Sequence, residues 1–338
     1  MRAAIHNPYL DTLGGGERYT VSFAKVLTEL GWQVDLEWKD SGIGKILESR
    51  FGIDLSGINF IPDVKRGDGY DLIFWVSDGS IPALKSRKNF LHFQVPFHHV
   101  GGGSLMNKMK MFRVEKIICN SLFTKKVIDK EYGVESIVMY PSVDTDQIKP
   151  KRKENIILNV ARFSGLLQNK GQEILVKAFK KMVDAGLLDW KFIMVGGADV
   201  GVTDQIKNLE KLSENYPIEI IKSPDFKFLK DLYGRAKIFW SASGYGEDEE
   251  KNPEKAEHFG ITVVEAMAAG AVPILYNAGG YKEIVADSLD GFLWESPAEL
   301  IKKTLNVIKN RNEFVKNTLA SSKKFSYAEF KNEITKLL

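Results

Sequence analysis

The sequence predicts an α/β protein of two successive blocks, each a parallel sheet covered by helices on both faces. Three observations carry this. Short apolar runs bounded by polar residues recur along the chain, 72–76 and 155–160 among them, as in strands buried on both sides. Stretches of helical periodicity separate them, such as Tyr19, Phe23, Val26, Leu27 and Leu30, or Ile174, Leu175, Ala178, Phe179 and Met182. The alternation breaks near 140–144, passes through a charged stretch at 149–154, and starts again.

In the first block, 2–8 reads as a strand, 11–17 as a turn, and a helix follows that Gly31 is placed to cap. Strands are expected at 32–38, 72–76, 89–95 (ending at Pro96) and 117–120, then a helix at 121–132. The second block gives strands at 155–160, 191–195, 218–221, 238–240 and 272–276, with helices at 172–185 and 265–269. Helices at 281–286, 297–309 and 327–338 complete it. The expected domains are 1–148 and 149–324, with a last helix from about 325 to 338.

Composition narrows the function classes. The 338 residues are 44% hydrophobic and 27% charged, which is ordinary for a globular chain. A net charge of +3 is too mild to argue for nucleic acid. Cys119 is the single cysteine, so no intrachain disulfide forms. No apolar run approaches the ~20 residues that span a bilayer, and the start MRAAIHNPYL does not read as a signal peptide. The expectation is a cytoplasmic protein, at most attached to a membrane surface. Residues 85–88 and 105–113 supply cations for that, the second mixed with Met, Leu and Phe; a solvated basic face is the competing reading.

Four constellations carry chemistry. Gly14, Gly15 and Gly16 follow the first strand and open a helix, where bare backbone can approach a phosphate. They do not complete the dinucleotide fingerprint, because the third glycine position holds Tyr19. Arg162 and Lys170 follow the first strand of the second block, at the strand end where open α/β sheets bind ligands. They could equally be solvated surface cations. Glu257 and Glu265 flank a His258-Phe259-Gly260 turn. Glu265 could close a capping box with Thr262, and Glu257 could end a solvated charged loop. His92 lies in an apolar strand near its end, while His98 and His99 lack a defined metal-ligand set, so no metal is expected.

Taken together, these residues resemble the family-4 retaining glycosyltransferases of the GT-B fold. That family carries a glutamate, seven residues, then a second glutamate, as in EHFGITVVE from Glu257 to Glu265. It also carries an Arg and a Lys after the first strand of the second domain, and a glycine-rich loop after the first strand of the chain. The wording GGGER, H-F-x-x-P and EHFG-x-x-VVE-x-MAAG is similar to the mannosyltransferases that extend lipid-linked oligosaccharide.

The resemblance implies two Rossmann-like domains facing a cleft, the first binding acceptor and the second a nucleotide-diphosphate sugar. It implies hexosyl transfer to a glycan or lipid-linked acceptor with retention, GDP-mannose favoured and UDP-sugars next, without metal or other cofactor. Arg162 and Lys170 would neutralise the diphosphate with help from amides near Gly15 and Gly16. Glu257 would hold sugar hydroxyls, Glu265 ribose hydroxyls, and His92 would lie beside the sugar. Amides of Phe259, Gly260 and Ile261, next to His258, would meet sugar or phosphate. The base would lie against residues 223–228, Ser223 and Phe226 among them. Acceptor choice would lie in loops at 41–66 and 98–112. The rival readings are a non-catalytic nucleotide-sugar binder and a nicotinamide-dependent oxidoreductase.

Overall fold

The computed structural model describes residues 1–163, 168–197 and 203–338. Its strands fall into two sheets, one in each of two units: 1–142 with 328–338, and 143–327.

The first unit runs β1 (Arg2–His6), α1 (Gly15–Glu29), β2 (Gln33–Glu37), α2 (Ile43–Phe51), β3 (Ile58–Ile61), β4 (Leu72–Val76) and β5 (Lys88–Phe93). It continues with α3 (Leu105–Met111), β6 (Lys116–Cys119), α4 (Leu122–Tyr132) and β7 (Ile137–Val138). Among the described residues its sheet has seven strands in the order β3-β2-β1-β4-β5-β6-β7, every pairing parallel. The order reverses between β1 and β4, where Ala3 to His6 pair with Leu72 to Trp75. The chain leaves β1 toward α1 and leaves β4 as a loop to β5, and a switch of this kind is where doubly wound sheets bind ligands.

The second unit runs β8 (Glu154–Val160), α5 (Gln172–Asp184), β9 (Lys191–Gly196), α6 (Thr203–Ser213), β10 (Ile218–Lys222), α7 (Phe226–Arg235) and β11 (Ala236–Ser241). Then come α8 (Ile261–Ala268), β12 (Val272–Tyr276), α9 (Tyr281–Ile284), β13 (Phe292–Trp294) and α10 (Pro297–Ser322). The order β10-β9-β8-β11-β12-β13 repeats the first unit's pattern, with its switch between β8 and β11. The core gathers Phe179, Phe192, Trp240 and Trp294, all fully buried or nearly so. Strand β10 is an edge, and its outward Glu219 and Lys222 discourage further pairing.

The last helix, α11 (Tyr327–Leu337), belongs with the first unit. Phe330 and Ile334 are its buried residues, and Phe330 meets the Tyr19 ring edge-on at 5.1 Å. Lys88 donates to the Leu338 carbonyl oxygen, and Lys331 pairs with Glu29 at 2.8 Å.

Residues 41–66, expected as loop, contain α2 and β3. Ile43, Leu47 and Phe51 recur at every fourth residue and are buried, which is reason enough for a helix there. Residues 98–112 likewise contain α3. The helix expected at 297–309 continues to Ser322, past a non-helical residue at Asn310. Among the described residues no helix is long and apolar enough to cross a membrane.

Candidate active site

The loops leaving β8 and β11 meet because these strands are neighbours at the second unit's switch. Gly171 caps α5 with φ +61°, and a Cβ there would lie 2.7 Å from the Ala242 carbonyl oxygen, so only glycine fits. The Gly244 amide donates to the Asn169 carbonyl at 3.2 Å, fastening one loop to the other. This close approach carries Lys170 to the end of β11. Its ammonium donates to Gln168 Oε1 at 2.5 Å, Ser243 Oγ at 3.1 Å and Glu257 Oε2 at 3.0 Å. Three donors and three acceptors leave the cation oriented rather than free to rotate.

Glu257 is brought in by the glycine pair at 279–280. The Gly280 amide donates to the Glu257 carbonyl at 2.8 Å. A Cβ on Gly279 would stand 2.1 Å from that same carbonyl oxygen, and one on Gly280 would stand 2.6 Å from the His258 carbonyl oxygen. Glu249 holds the other side, accepting from the Gly279 amide at 2.8 Å and pairing with Lys282. Tyr281 then places its hydroxyl 2.6 Å from Ser241 Oγ and 3.4 Å from Glu257 Oε2. Burial pushes the Glu257 carboxyl up, but the Lys170 charge and hydrogen bond outweigh it, so it titrates below its ordinary value. His258 Nε2 donates to the Glu254 carbonyl at 3.0 Å, and burial lowers its pKa despite the neighbouring Glu257.

Helix α8 starts here with Gly260 as its N-cap at φ +117°, and a Cβ there would meet the Tyr281 ring at 2.7 Å. Ile261 is therefore the first helical residue and Thr262 the second. The capping box expected of Thr262 and Glu265 does not form, because the helix begins two residues too early for Thr262 to be its cap. Glu265 is instead buried and accepts from the Tyr233 hydroxyl at 2.8 Å. Phe259 is buried, its ring edge-on to Phe325 at 5.3 Å. Arg162 is exposed just beyond β8, its carbonyl taking the Gln172 amide group at 2.9 Å. Ser223 ends β10 with φ +45°, its amide bonded to the Gly196 carbonyl at 2.8 Å. Phe226 opens α7 under the Lys230 ammonium, 5.0 Å from its ring centre.

In the first unit, Gly14 is the N-cap of α1, and Gly15 and Gly16 are its first two residues. Glu17 reaches back to accept from the Gly14 amide at 2.6 Å and the Thr12 hydroxyl at 2.8 Å. Gly16 faces Gln94, whose amide donates to the Gly16 carbonyl at 3.2 Å; a Cβ there would overlap the Gln94 side chain. His92 is not at an open surface. It is 0% exposed, stacked on Tyr19 at 4.2 Å with Phe74 at 5.1 Å, and burial lowers its pKa to about 3. The period of two along β5 turns its ring under α1, which corrects the expectation that it reaches a sugar.

The sequence offers little signal for Ser243, Gln168 and Tyr281, which complete the Lys170–Glu257 cluster. Tyr281 is marked only by following two glycines. Among the described residues, no three His, Cys, Asp or Glu side chains are grouped to hold a metal ion.

The family described as Glycosyl transferases group 1 matches residues 143–324, more than half of the chain. The chain belongs to this family. The glycosyltransferase is 26% identical over 281 residues to the uncharacterized glycosyltransferase MJ1178 of Methanocaldococcus jannaschii, covering 78% of this chain and 74% of that protein. It is 27% identical over 227 residues to GDP-Man:Man(3)GlcNAc(2)-PP-Dol alpha-1,2-mannosyltransferase of Dictyostelium discoideum. That match covers 62% of this chain and spans only 43% of the Dictyostelium protein. Anabaena HepE, solved in complex with UDP, superposes with a TM-score of 0.78 at 18% identity over 100% of this chain and 99% of that one. Such a likeness shows the fold, two doubly wound domains of the GT-B class.

Proposed function

We propose that this glycosyltransferase moves a hexose from a nucleoside-diphosphate sugar to a glycan or lipid-linked acceptor, with retention at the anomeric carbon and without a metal ion. The observation that carries this reading is the Lys170–Glu257 pair, held with Ser243 and Tyr281 where β8 and β11 end. Lys170 supplies a fixed cation for the phosphate that departs, and Arg162 a second, exposed one. Stabilising the charge that builds on a leaving diphosphate is electrostatic catalysis and needs no proton transfer. Glu257 is the acceptor for sugar hydroxyls. The amides at the start of α8, from Phe259 to Ile261, favour negative charge. Glu265 takes ribose hydroxyls, and the base lies against Ser223 and Phe226. In the first unit the Gly15 and Gly16 amides have an anion-binding part. His92 has no contact with the donor in this proposal.

GDP-mannose is the favoured donor, because the Dictyostelium relative's name gives that donor and that sugar. A UDP-sugar comes second, from the UDP complex of HepE. A screen of GDP-, UDP- and ADP-sugars for hydrolysis and transfer tests the reading, with EDTA in a parallel arm. The expected result is turnover of one donor, unchanged by EDTA, and a loss of about 10²–10³ in kcat/KM for Lys170→Ala measured on folded protein well below its melting temperature, which should itself fall because Glu257 loses its partner. Wild-type turnover by that variant, or turnover of no nucleotide sugar, refutes it.

A further inference from the structure

Thirteen large hydrophobic side chains are exposed among the described residues, and five of them lie between residues 100 and 112. Val100 is 46% exposed, Leu105 76%, Met106 67%, Met109 70% and Phe112 92%. Leu105, Met109 and Phe112 are spaced by four and three residues and so share one side of α3.

The segment is built to present this side. Ser104 caps α3, accepting from the Asn107 amide at 3.3 Å. Met111 and Val114 pack against the first unit's core, and Asn89 donates to the Arg113 carbonyl at 2.9 Å. The preceding loop is tied to Glu131, whose carboxylate accepts from the amides of His99, Val100 and Gly102 at 2.9–3.1 Å. With its other side fastened, the helix cannot turn these apolar residues inward. A groove of about 590 Å³ beside it is lined by Leu105, Met106 and Met109, with Lys110 and Arg113 among its walls.

The charge is one-sided. No acidic residue occurs between Asp78 and Glu115, while Lys85, Arg87, Lys88, Lys108, Lys110 and Arg113 fall in that interval. Lys85 and Arg87 are paired with Asp68 and Asp71, and Lys88 is turned to the Leu338 carbonyl oxygen, so the cations of α3 dominate its face. A second copy of the chain would set this face against itself and bring like charges together. An anionic lipid surface supplies the opposite charge to the cations and an apolar layer to the Met, Leu and Phe tips.

We propose that α3 and its flanks are a docking surface for anionic membrane. The seven-residue helix inserts only its side chains, so attachment is shallow, reversible and salt-sensitive. The proposal goes beyond the transfer reaction: vesicle binding is read without any donor, so the two can fail separately.

The test is co-sedimentation of the full chain with phosphatidylcholine vesicles, with and without phosphatidylserine. Binding is expected only to the anionic vesicles and should vanish as salt is raised. A Lys108→Ser, Lys110→Ser, Arg113→Ser triple variant should bind about a hundredfold more weakly. A Met109→Ser, Phe112→Ser double variant should lose about tenfold or more. Both should keep the wild-type melting temperature, since these side chains pack on nothing buried. No binding at low salt, equal binding to neutral vesicles, or wild-type binding by the variants overturns the proposal. So does a wild-type dimer in gel filtration that the double variant dissolves, which would give the patch to a second copy.

Discussion

Lys170 and Glu257 lie 87 residues apart in sequence and 3.0 Å apart in space, with only 15% and 17% of their side chains exposed. A pair so placed is costly to break from one side, because the remaining charge stays buried. Glu257 titrates below its ordinary value, so its contribution to stability is present at neutral pH and is lost as pH falls through that lowered value. The glycine at 279 decides whether the pair forms at all. Gly279→Ala puts a Cβ 2.1 Å from the Glu257 carbonyl oxygen at a backbone φ of +54°. It should cost at least about 2 kcal/mol by chemical denaturation and displace Glu257 from Lys170, lowering turnover as well. A melt superimposable on wild type would contradict this. Cys119 behaves in the opposite way: burial raises its thiol to about 12, against the Ser136 hydrogen bond and the Lys125 charge. The native protein should resist a disulfide-exchange reagent at pH 8 and react fully in denaturant; rapid native reaction would show that the site opens.

Helices in this protein start in two ways. Helices α4 and α10, away from the candidate site, and α7, beside the residues assigned to the base, begin with Ser121, Ser296 and Asp225, whose side chains accept from the amide three residues on. At the loops assigned to ligand, α1, α5 and α8 begin with Gly14, Gly171 and Gly260, without a side-chain cap. Helix α2 also begins with a glycine, Gly42, so the pattern is a tendency of the site rather than a mark unique to it. A glycine cap gives up local stabilisation and leaves first-turn amides open to an outside acceptor. Ser121→Ala should therefore destabilise by about 1 kcal/mol, measured by urea unfolding, with turnover unchanged. A fall in turnover at equal stability would mean that α4 carries a functional part unassigned here.

The chain ends by returning to the unit in which it began. Phe330 on α11 closes over Tyr19, and Tyr19 in turn stacks on His92, so the last helix covers the first unit's core. Phe330→Ala should cost about 3–5 kcal/mol and melt the first unit before the second, visible as two calorimetric transitions. Lys331→Ala removes only a half-exposed pair with Glu29 and should cost less than about 1 kcal/mol. Equal effects of the two changes would show that α11 adheres through charge and not through packing.

The two sheets, their order of strands and helices, and the glycines at loop 14–16, at 260 and at 279–280 are legible in the sequence, because periodicity and backbone freedom are local properties. The family they resemble also singles out Lys170 and Glu257, which the structure brings together. Local pattern was weaker where elements are short or half-exposed, and α2, β3, α3, β7, α6, α7 and β13 escaped it. Tertiary structure alone decided which side chains pair. It set Tyr281 between Ser241 and Glu257, moved the α8 cap to Gly260, gave Glu265 the Tyr233 hydroxyl, and turned His92 into the core. These depend on how strands 40 to 90 residues apart come to lie side by side, and no short window of sequence contains both partners.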